Sequence, residues 1–263
     1  MASPADLRAI TNEHRVAQVA ATAPLLLESQ AAWSLLDIDA LDATAPRWAA
    51  AQLALLRAKR AVSSSLAARY LSDFRTAAIG TRSGMEVVAP PLDELQARTM
   101  LRVSGPIAVK NFIAGGREPL DAYRTAGAAL AGRSQEWALN GGRSAVQATV
   151  HKDPVARGWR RVSSGRPCAF CAMLVTRSHA RLDIGGFKAH AHCGCSAEPY
   201  YTDSPSITDE EWEWMQAYEQ AAEQARAAGE AVRAPSRRSP KDTVLWRMRR
   251  NRPDLFSDGV HAH

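Results

Sequence analysis

The chain has 263 residues, with 33 Lys and Arg against 27 Asp and Glu for a formal charge of +6, enough length for one large domain or two small ones. Hydrophobic residues make up 46%, yet mean hydropathy is -0.27, because alanine fills much of the apolar class as in helix-rich chains; disorder throughout is excluded on that composition. No run approaches the roughly 18–20 apolar residues of a membrane span. The start, MASPADLRAI, lacks the charged and apolar regions of a signal peptide, so the four cysteines are expected in a reducing compartment and not as a disulfide scaffold. Only Lys59, Lys110, Lys152, Lys188 and Lys241 among the cations are lysines. Arginine suits bidentate contacts to carboxylate or phosphate, although GC-rich codon usage accounts for the same excess.

The first third reads as helix. Leu7, Ile10, Val16, Val19 and Leu26 recur without strand alternation between Asp6 and about Ser29, and Pro24 marks a break or kink. A second helix is expected to open at Pro46, with Trp48, Leu55, Val62, Leu66, Tyr70 and Phe74 as one apolar stripe. Unbroken to Ala78, it measures on the order of 50 Å, a length typical of bundles or assembly subunits. Gly80 to Pro91 is a connection, with a hairpin expected through Met85, Glu86, Val87 and Val88. Leu92, Leu95, Thr99 and Val103 then share a face until Gly105 and Pro106 end it. Pro119 starts a helix through Leu120, Tyr123, Leu130 and Trp137 that Gly141 and Gly142 are expected to stop, and a short helical run follows through Arg143, Val146 and Val150.

From Pro154 to Tyr201 the spacing becomes irregular, which predicts loops and short strands tied down by something other than a core. Thr208, Asp209, Glu210 and Glu211 form a capped, acidic helix start, and that helix is expected to reach about Gly229. Seven acids and no Lys or Arg lie between Asp203 and Glu223, while Trp212, Trp214, Met215 and Tyr218 give the same helix an apolar surface for docking. The remainder is rich in Pro, Ser and Arg, with a short helix expected from Ser239 and Pro240 through Arg250. Between Gly229 and Asp254 eight cations face three acids, so this stretch carries +5 of the total charge. Arg237, Arg238, Lys241, Arg247, Arg249, Arg250 and Arg252 are the candidates for contacting nucleic acid by phosphate neutralisation; a solubilising tail explains the same composition.

The chemistry-bearing string is Cys168-Ala-Phe-Cys171 followed by His190-Ala-His192-Cys193-Gly-Cys195. A C-x-x-C pair on a tight turn presents two thiolates to one ion, and a later His/Cys pair completes a tetrahedral zinc shell, so six candidates compete for four positions. All four cysteines lie within 28 positions with two histidines beside them, which chance clustering explains poorly. Binding a metal supplies folding energy to a segment with little apolar content. A nucleophile role for Cys168 or Cys171 with His190 or His192 as base leaves three companion thiols unexplained.

The run from Trp159 through Ser163, Ser164, Cys168 and Cys171 to Leu174, then Phe187 to Cys195 and Glu198-Pro199, resembles the MuF-type minor head proteins of tailed phages, actinobacteriophage members in particular. A Trp before C-x-x-C-x-x-L, a closing H-x-x-C-x-C-x-x-x-P and the upstream Arg143 carry the likeness; Gly194 departs from the arginine common between the last two cysteines. The resemblance implies metal-ligand candidacy for Cys168, Cys171, His190, Cys193 and Cys195, with His192 as a substitute. It also implies a virion head-morphogenesis role in the procapsid beside portal, scaffold and major capsid proteins, in the head interior or the host cytoplasm during assembly. Relatives are often labelled capsid maturation proteases, but no G-x-S-x-G elbow is present and the pairs of Ser163 or Ser164 with His151 or His179 have no defining spacing.

The expected architecture is therefore mainly α with a small α+β zinc-stabilised module: a helical region at 1–139, the module at 140–201, an acidic amphipathic helix at 202–229 and a basic tail at 230–263. No catalytic residue is assigned and no membrane or small-molecule substrate is expected. Three functions are carried forward: an assembly protein with structural zinc, a maturation protease, and a zinc-module nucleic-acid binder.

Overall fold

A computed structural model describes residues 2–259 apart from 83, 85, 88, 164, 181–186, 188, 204 and 231–243, with 178–180 described in backbone only. It is mainly helical with one two-stranded sheet. Two compact units divide the chain, Met1–Asp153 with Gly186–Gly194, and Pro154–Gly185 with Cys195–His263. The boundary expected at 139/140 falls inside a helix. Among the described residues no helix is long and apolar enough to cross a membrane.

In the first unit, α1 (Pro4–Thr22) starts on a capping box in which Ser3 Oγ accepts from Asp6 N and Asp6 Oδ2 accepts from Ser3 N. It stops at Ala23, and α2 (Pro24–Trp33) begins on the proline that marked the break. The buried face of α1 is polar, made of Thr11, His14, Gln18 and Thr22 at helical spacing, whereas Val16 of the expected apolar set is 56% exposed. Thr22 bonds to carbonyls of its own helix, whereas Thr11 and Gln18 are satisfied across helices. Gln18 Nε2 donates to Ser63 O at 2.8 Å, Ser63 Oγ donates to Gln18 Oε1 at 2.7 Å and accepts from Gly142 N at 2.8 Å, and Thr11 Oγ1 lies 2.9 Å from Tyr70 OH.

The long helix α3 (Leu41–Ile79) opens five residues before Pro46, which it carries internally, and its 39 residues span about 58 Å. Trp48, Tyr70 and Phe74 are buried as expected, but Val62 is exposed and the inward face runs through Gln52, Leu53, Leu56, Ser63, Ala67 and Leu71. Gly80 closes the helix in the left-handed region, φ 77°. Met85 and Val88 of the expected hairpin lie outside the described residues, and no strand forms at Glu86 or Val87.

Helix α4 (Glu94–Arg102) and α5 (Ala108–Ala114) are two helices that meet at a kink, where the Gly105 backbone is non-helical (φ -99°, ψ -109°), so Gly105 and Pro106 break the helix as expected. A Cβ on Gly105 would come within 2.2 Å of the buried Trp48 ring, which is why glycine stands there. Of the residues expected to share a face, Leu92 packs against the core while Leu95 is 76% exposed and Val103 52%, and Ala97 and Leu101 are the buried positions of α4.

Helix α6 (Pro119–Lys152) is continuous for 34 residues, and Gly141 and Gly142 do not stop it. A Cβ on Gly141 would approach Arg60 O to 2.5 Å and one on Gly142 would approach Gln18 Nε2 to 2.3 Å and Ser63 O to 2.9 Å. The pair is therefore a place where α1 and α3 lie close against α6, and close approach outweighs the helix-propensity cost of about 1 kcal/mol per glycine. Leu25, Trp33, Leu36, Trp48, Leu53, Leu56, Leu101, Val109 and Leu130 form this unit's core.

In the second unit, β1 (Gly158–Val162) pairs antiparallel with β2 (Ser196–Tyr200) in register Gly158 to Tyr200 and Val162 to Ser196. Helix α7 (Ala169–Ala180) follows the first cysteine. Helix α8 (Asp209–Ala227) starts on the expected cap, with a full box between Thr208 and Glu211, and Gly229 lies just past its end at φ 70°. Helix α9 (Val244–Asn251) covers part of the expected tail helix; Ser239 and Pro240 lie outside the described residues. Val244, Leu245, Met248 and Phe256 are buried with Met173, Val175 and Trp214, so the last described stretch belongs to a core.

Candidate metal centre

Cys168 occupies the position just before α7, where its carbonyl accepts from Ala172 N and its Sγ accepts from Cys171 N at 3.4 Å. The thiol thus takes one of the N–H groups that a helix start leaves without a partner. Cys171 is buried in the first turn of α7. His190 and Cys193 form a turn closed by Cys193 N donating to His190 O at 3.1 Å, and His192 sits within it at φ 62°. Cys195 directly precedes β2 and is buried.

Ligand-capable atoms of Cys168, Cys171 and His190 all lie within 4.8 Å of one another, and those of Cys171, Cys193 and Cys195 do likewise. Cys171 is common to both groups. Five of the six residues singled out by spacing are thus brought together, with donor types that fit a thiolate-rich metal shell. His192 falls in neither group; its ring lies against α6, where a Cβ on Gly132 would meet its Nε2 at 2.3 Å. His190 Nδ1 is 2.7 Å from Ala191 O, and since a carbonyl can only accept, Nδ1 is the donor in this contact.

The loop that carries His190 and Cys193 is held by Arg143 of α6. This side chain is 4% exposed, donates through Nη2 to Cys193 O and through Nη1 to Asn140 Oδ1, and lies 4.7 Å from the centroid of the Phe187 ring. Glu136, two turns earlier on α6, was not singled out from the sequence. Burial raises its carboxyl above the usual value and Cys193 adds to the rise, against the pull of Arg133, Arg143 and His190.

A second polar cluster was missed. Arg160 on β1 and Glu198 on β2 are directly opposed and buried, and Glu211 of α8 lies 3.9 Å from the same guanidinium. Glu198 stood in the quoted motif, but nothing in its spacing assigned it a partner.

Of the residues expected to contact nucleic acid, Arg237, Arg238 and Lys241 lie outside the described residues. Arg247 pairs with Glu230 at 2.7 Å, Arg249 with Asp258 at 2.6 Å and Arg252 with Asp254 at 2.8 Å, and Arg250 lies over the Trp246 ring. The hydrogen bond from Arg252 holds the Asp254 carboxyl below its usual value. In the serine pairs of the protease reading, Ser164 and the His179 side chain fall outside the described residues.

These features define a mainly helical protein with a Cys/His cluster able to hold a metal ion. The sequence model of the VG15 protein family, a phage virion-gene family, matches residues 1–221, and the chain belongs to that family. No curated protein and no solved structure matches it.

Proposed function

We propose that the chain is a phage minor head-morphogenesis protein of the MuF kind that acts in procapsid assembly, with its Cys/His cluster holding one structural zinc ion. The observation that carries this reading is the convergence of Cys168, Cys171, His190, Cys193 and Cys195, the set the motif resemblance singles out, in a chain of a phage virion-gene family. Four of these five close a tetrahedral shell, and a closed, sulfur-rich shell leaves no open position for water, so the ion stabilises structure and does not catalyse. Arg143 fixes the His190–Cys193 turn and the Cys171 N–H bond fixes the Cys168 thiol, which orients both halves of the donor set.

Portal, scaffold and major capsid proteins are the proposed partners, in the head interior or during assembly in the host cytoplasm, and DNA contact is proposed for the basic stretch. The test is co-expression of the chain with the neighbouring scaffold and capsid genes. Assembly predicts incorporation of the uncleaved chain into procapsids with zinc bound, lost on Cys171→Ser. Specific cleavage of scaffold or capsid, abolished by one Ser, Cys or His substitution with the fold retained, establishes the maturation-protease alternative instead.

A further inference from the structure

We propose that residues 244–259, which lie beyond the family-matched stretch, form an intramolecular clamp that holds the Cys168–Cys171 turn in ligand geometry, with Asp258 as its positioning residue. The metal role of this turn rests on the reading above; the clamp is carried by contacts of its own.

Three residues at the start of the turn, Arg166, Pro167 and Ala169, are gripped from the C-terminal stretch. Arg166 Nη2 donates to the carbonyls of Pro253 and Phe256, both at 3.0 Å. Pro167 O accepts from Ser257 N at 3.0 Å. Ala169 N, the first helical N–H of α7, donates to Asp258 Oδ1 at 2.8 Å. Asp258 is itself held, because its Oδ2 accepts from Arg249 Nε at 2.6 Å. Phe256 anchors the stretch from a fully buried position in the core shared with Met173, Val175 and Met248. Its turn is tight: a Cβ on Gly259 would come within 2.4 Å of Pro253 O.

The physical consequence follows from where these bonds fall. A helix start leaves its first N–H groups without intrahelical partners, and here Cys168 Sγ and Asp258 Oδ1 take two of them, from Cys171 and Ala169. Cys168 is therefore bracketed on both sides by fixed backbone, which lowers the ordering entropy that a metal ion must otherwise overcome. Partners of this kind, one shell out from the ligands, typically change metal retention by 10–100-fold when removed.

The test uses the full-length chain, loaded with zinc, in two measurements: zinc release to a chromogenic chelator, and hydrogen exchange at the amides of residues 169–172. Asp258→Ala is expected to release zinc about tenfold faster and to exchange faster at those amides. Asp258→Asn, whose side-chain oxygen still accepts from Ala169 N, recovers most of the difference. Arg247→Ala breaks an ion pair on the same helix that does not touch the turn, and behaves as the parent. Parent-like behaviour of Asp258→Ala in both measurements, or an equal effect of Arg247→Ala, overturns the clamp. A parent chain that takes up no zinc overturns the metal reading alone; hydrogen exchange then decides the clamp, which stands if Asp258→Ala accelerates it and falls if not.

Discussion

Arg160 and Glu198 face each other across the two-stranded sheet with side chains 5% and 4% exposed, Arg160 Nε donating to Glu198 Oε1 at 2.7 Å. A third charge, Glu211, approaches the same guanidinium, and Arg160 Nη1 also donates to Ser206 O at 2.6 Å. Two charges taken out of water are tolerated only while they hold one another, and removing one leaves the other buried alone. Glu198→Ala is therefore expected to destabilise the chain by about 3–5 kcal/mol. The double replacement Arg160→Met with Glu198→Leu should cost markedly less than either single loss. Urea midpoints of Glu198→Ala, Arg160→Met and the double variant check this, and a double variant as unstable as the singles contradicts it.

His14 supplies a pH dependence whose sign is fixed. Its ring is 7% exposed and stacked 4.1 Å from Tyr70, and burial lowers its pKa to about 4 from the ordinary 6.5. Below about 6.5 the unfolded chain takes up a proton that the folded chain refuses, so stability falls as pH drops from 6.5 to 4 and levels off below. The full span corresponds to about 3 kcal/mol. Urea titrations at pH 7, 5.5 and 4.5 should show the decline, and His14→Phe should flatten the part of it due to this ring. An unchanged slope in that variant assigns the pH dependence to other groups.

Gly142 tests the contact among α1, α3 and α6. A methyl group there meets Gln18 Nε2, Ser63 O and Ser63 Oγ at 2.3, 2.9 and 2.9 Å, all within a buried hydrogen-bonded network. Gly142→Ala raises helix propensity by about 1 kcal/mol yet is expected to lose about 1–3 kcal/mol net, because the network must open to admit it. Gly116→Ala, at a positive-φ position with open space around it, serves as a comparison that strains backbone without overpacking. A stabilised Gly142→Ala protein contradicts the close approach.

The same glycines show where sequence patterning stops. Pro24 and the Thr208/Glu211 pair act through the backbone next to them, so the break after α1 and the start of α8 could be read directly. A glycine pair serves equally to end a helix or to admit a neighbouring one, and only the partner's position distinguishes these; hence α6 runs through Gly141 and Gly142. The polar face of α1 escaped for a related reason, since Thr11, His14 and Gln18 are surface residues by type and become core residues only when Ser63 and Tyr70 satisfy them. At the candidate site, C-x-x-C spacing makes the ligands visible because the chelating geometry is local. Asp258 and Arg160 act on partners 89 and 38 residues away, and no local pattern announces them.

The basic stretch divides into two sets with different expected behaviour toward DNA. Arg247, Arg249 and Arg252 each hold a carboxylate of this chain, so neutralising a phosphate requires giving that partner up. Replacing Arg237, Arg238 and Lys241 with alanine should lower the slope of log affinity against log salt by about 3. The same change at Arg247, Arg249 and Arg252 should lower it by less. Fluorescence anisotropy with a short duplex across a salt series reads both slopes. The larger drop in the second set, or no binding by the parent at low salt, removes the nucleic-acid proposal for this stretch.

The ligand set itself makes an ordered prediction. Cys171 belongs to both groups of converging donors, whereas Cys168 and His190 belong to one and Cys193 and Cys195 to the other. Losing Cys171 breaks both groups at once, so Cys171→Ser is expected to abolish zinc retention after dialysis and to cost the most stability. Substitution of any one of Cys168, His190, Cys193 or Cys195 leaves four donors, and one of these four single variants, the one whose side chain is not in the shell, should keep its zinc. His192→Ala should be indistinguishable from the parent, because that ring packs on Gly132 and joins neither group. Metal content per chain, measured on protein purified without chelator, ranks the six variants. Loss of zinc in His192→Ala, or retention in Cys171→Ser, would assign the shell to a different set of four.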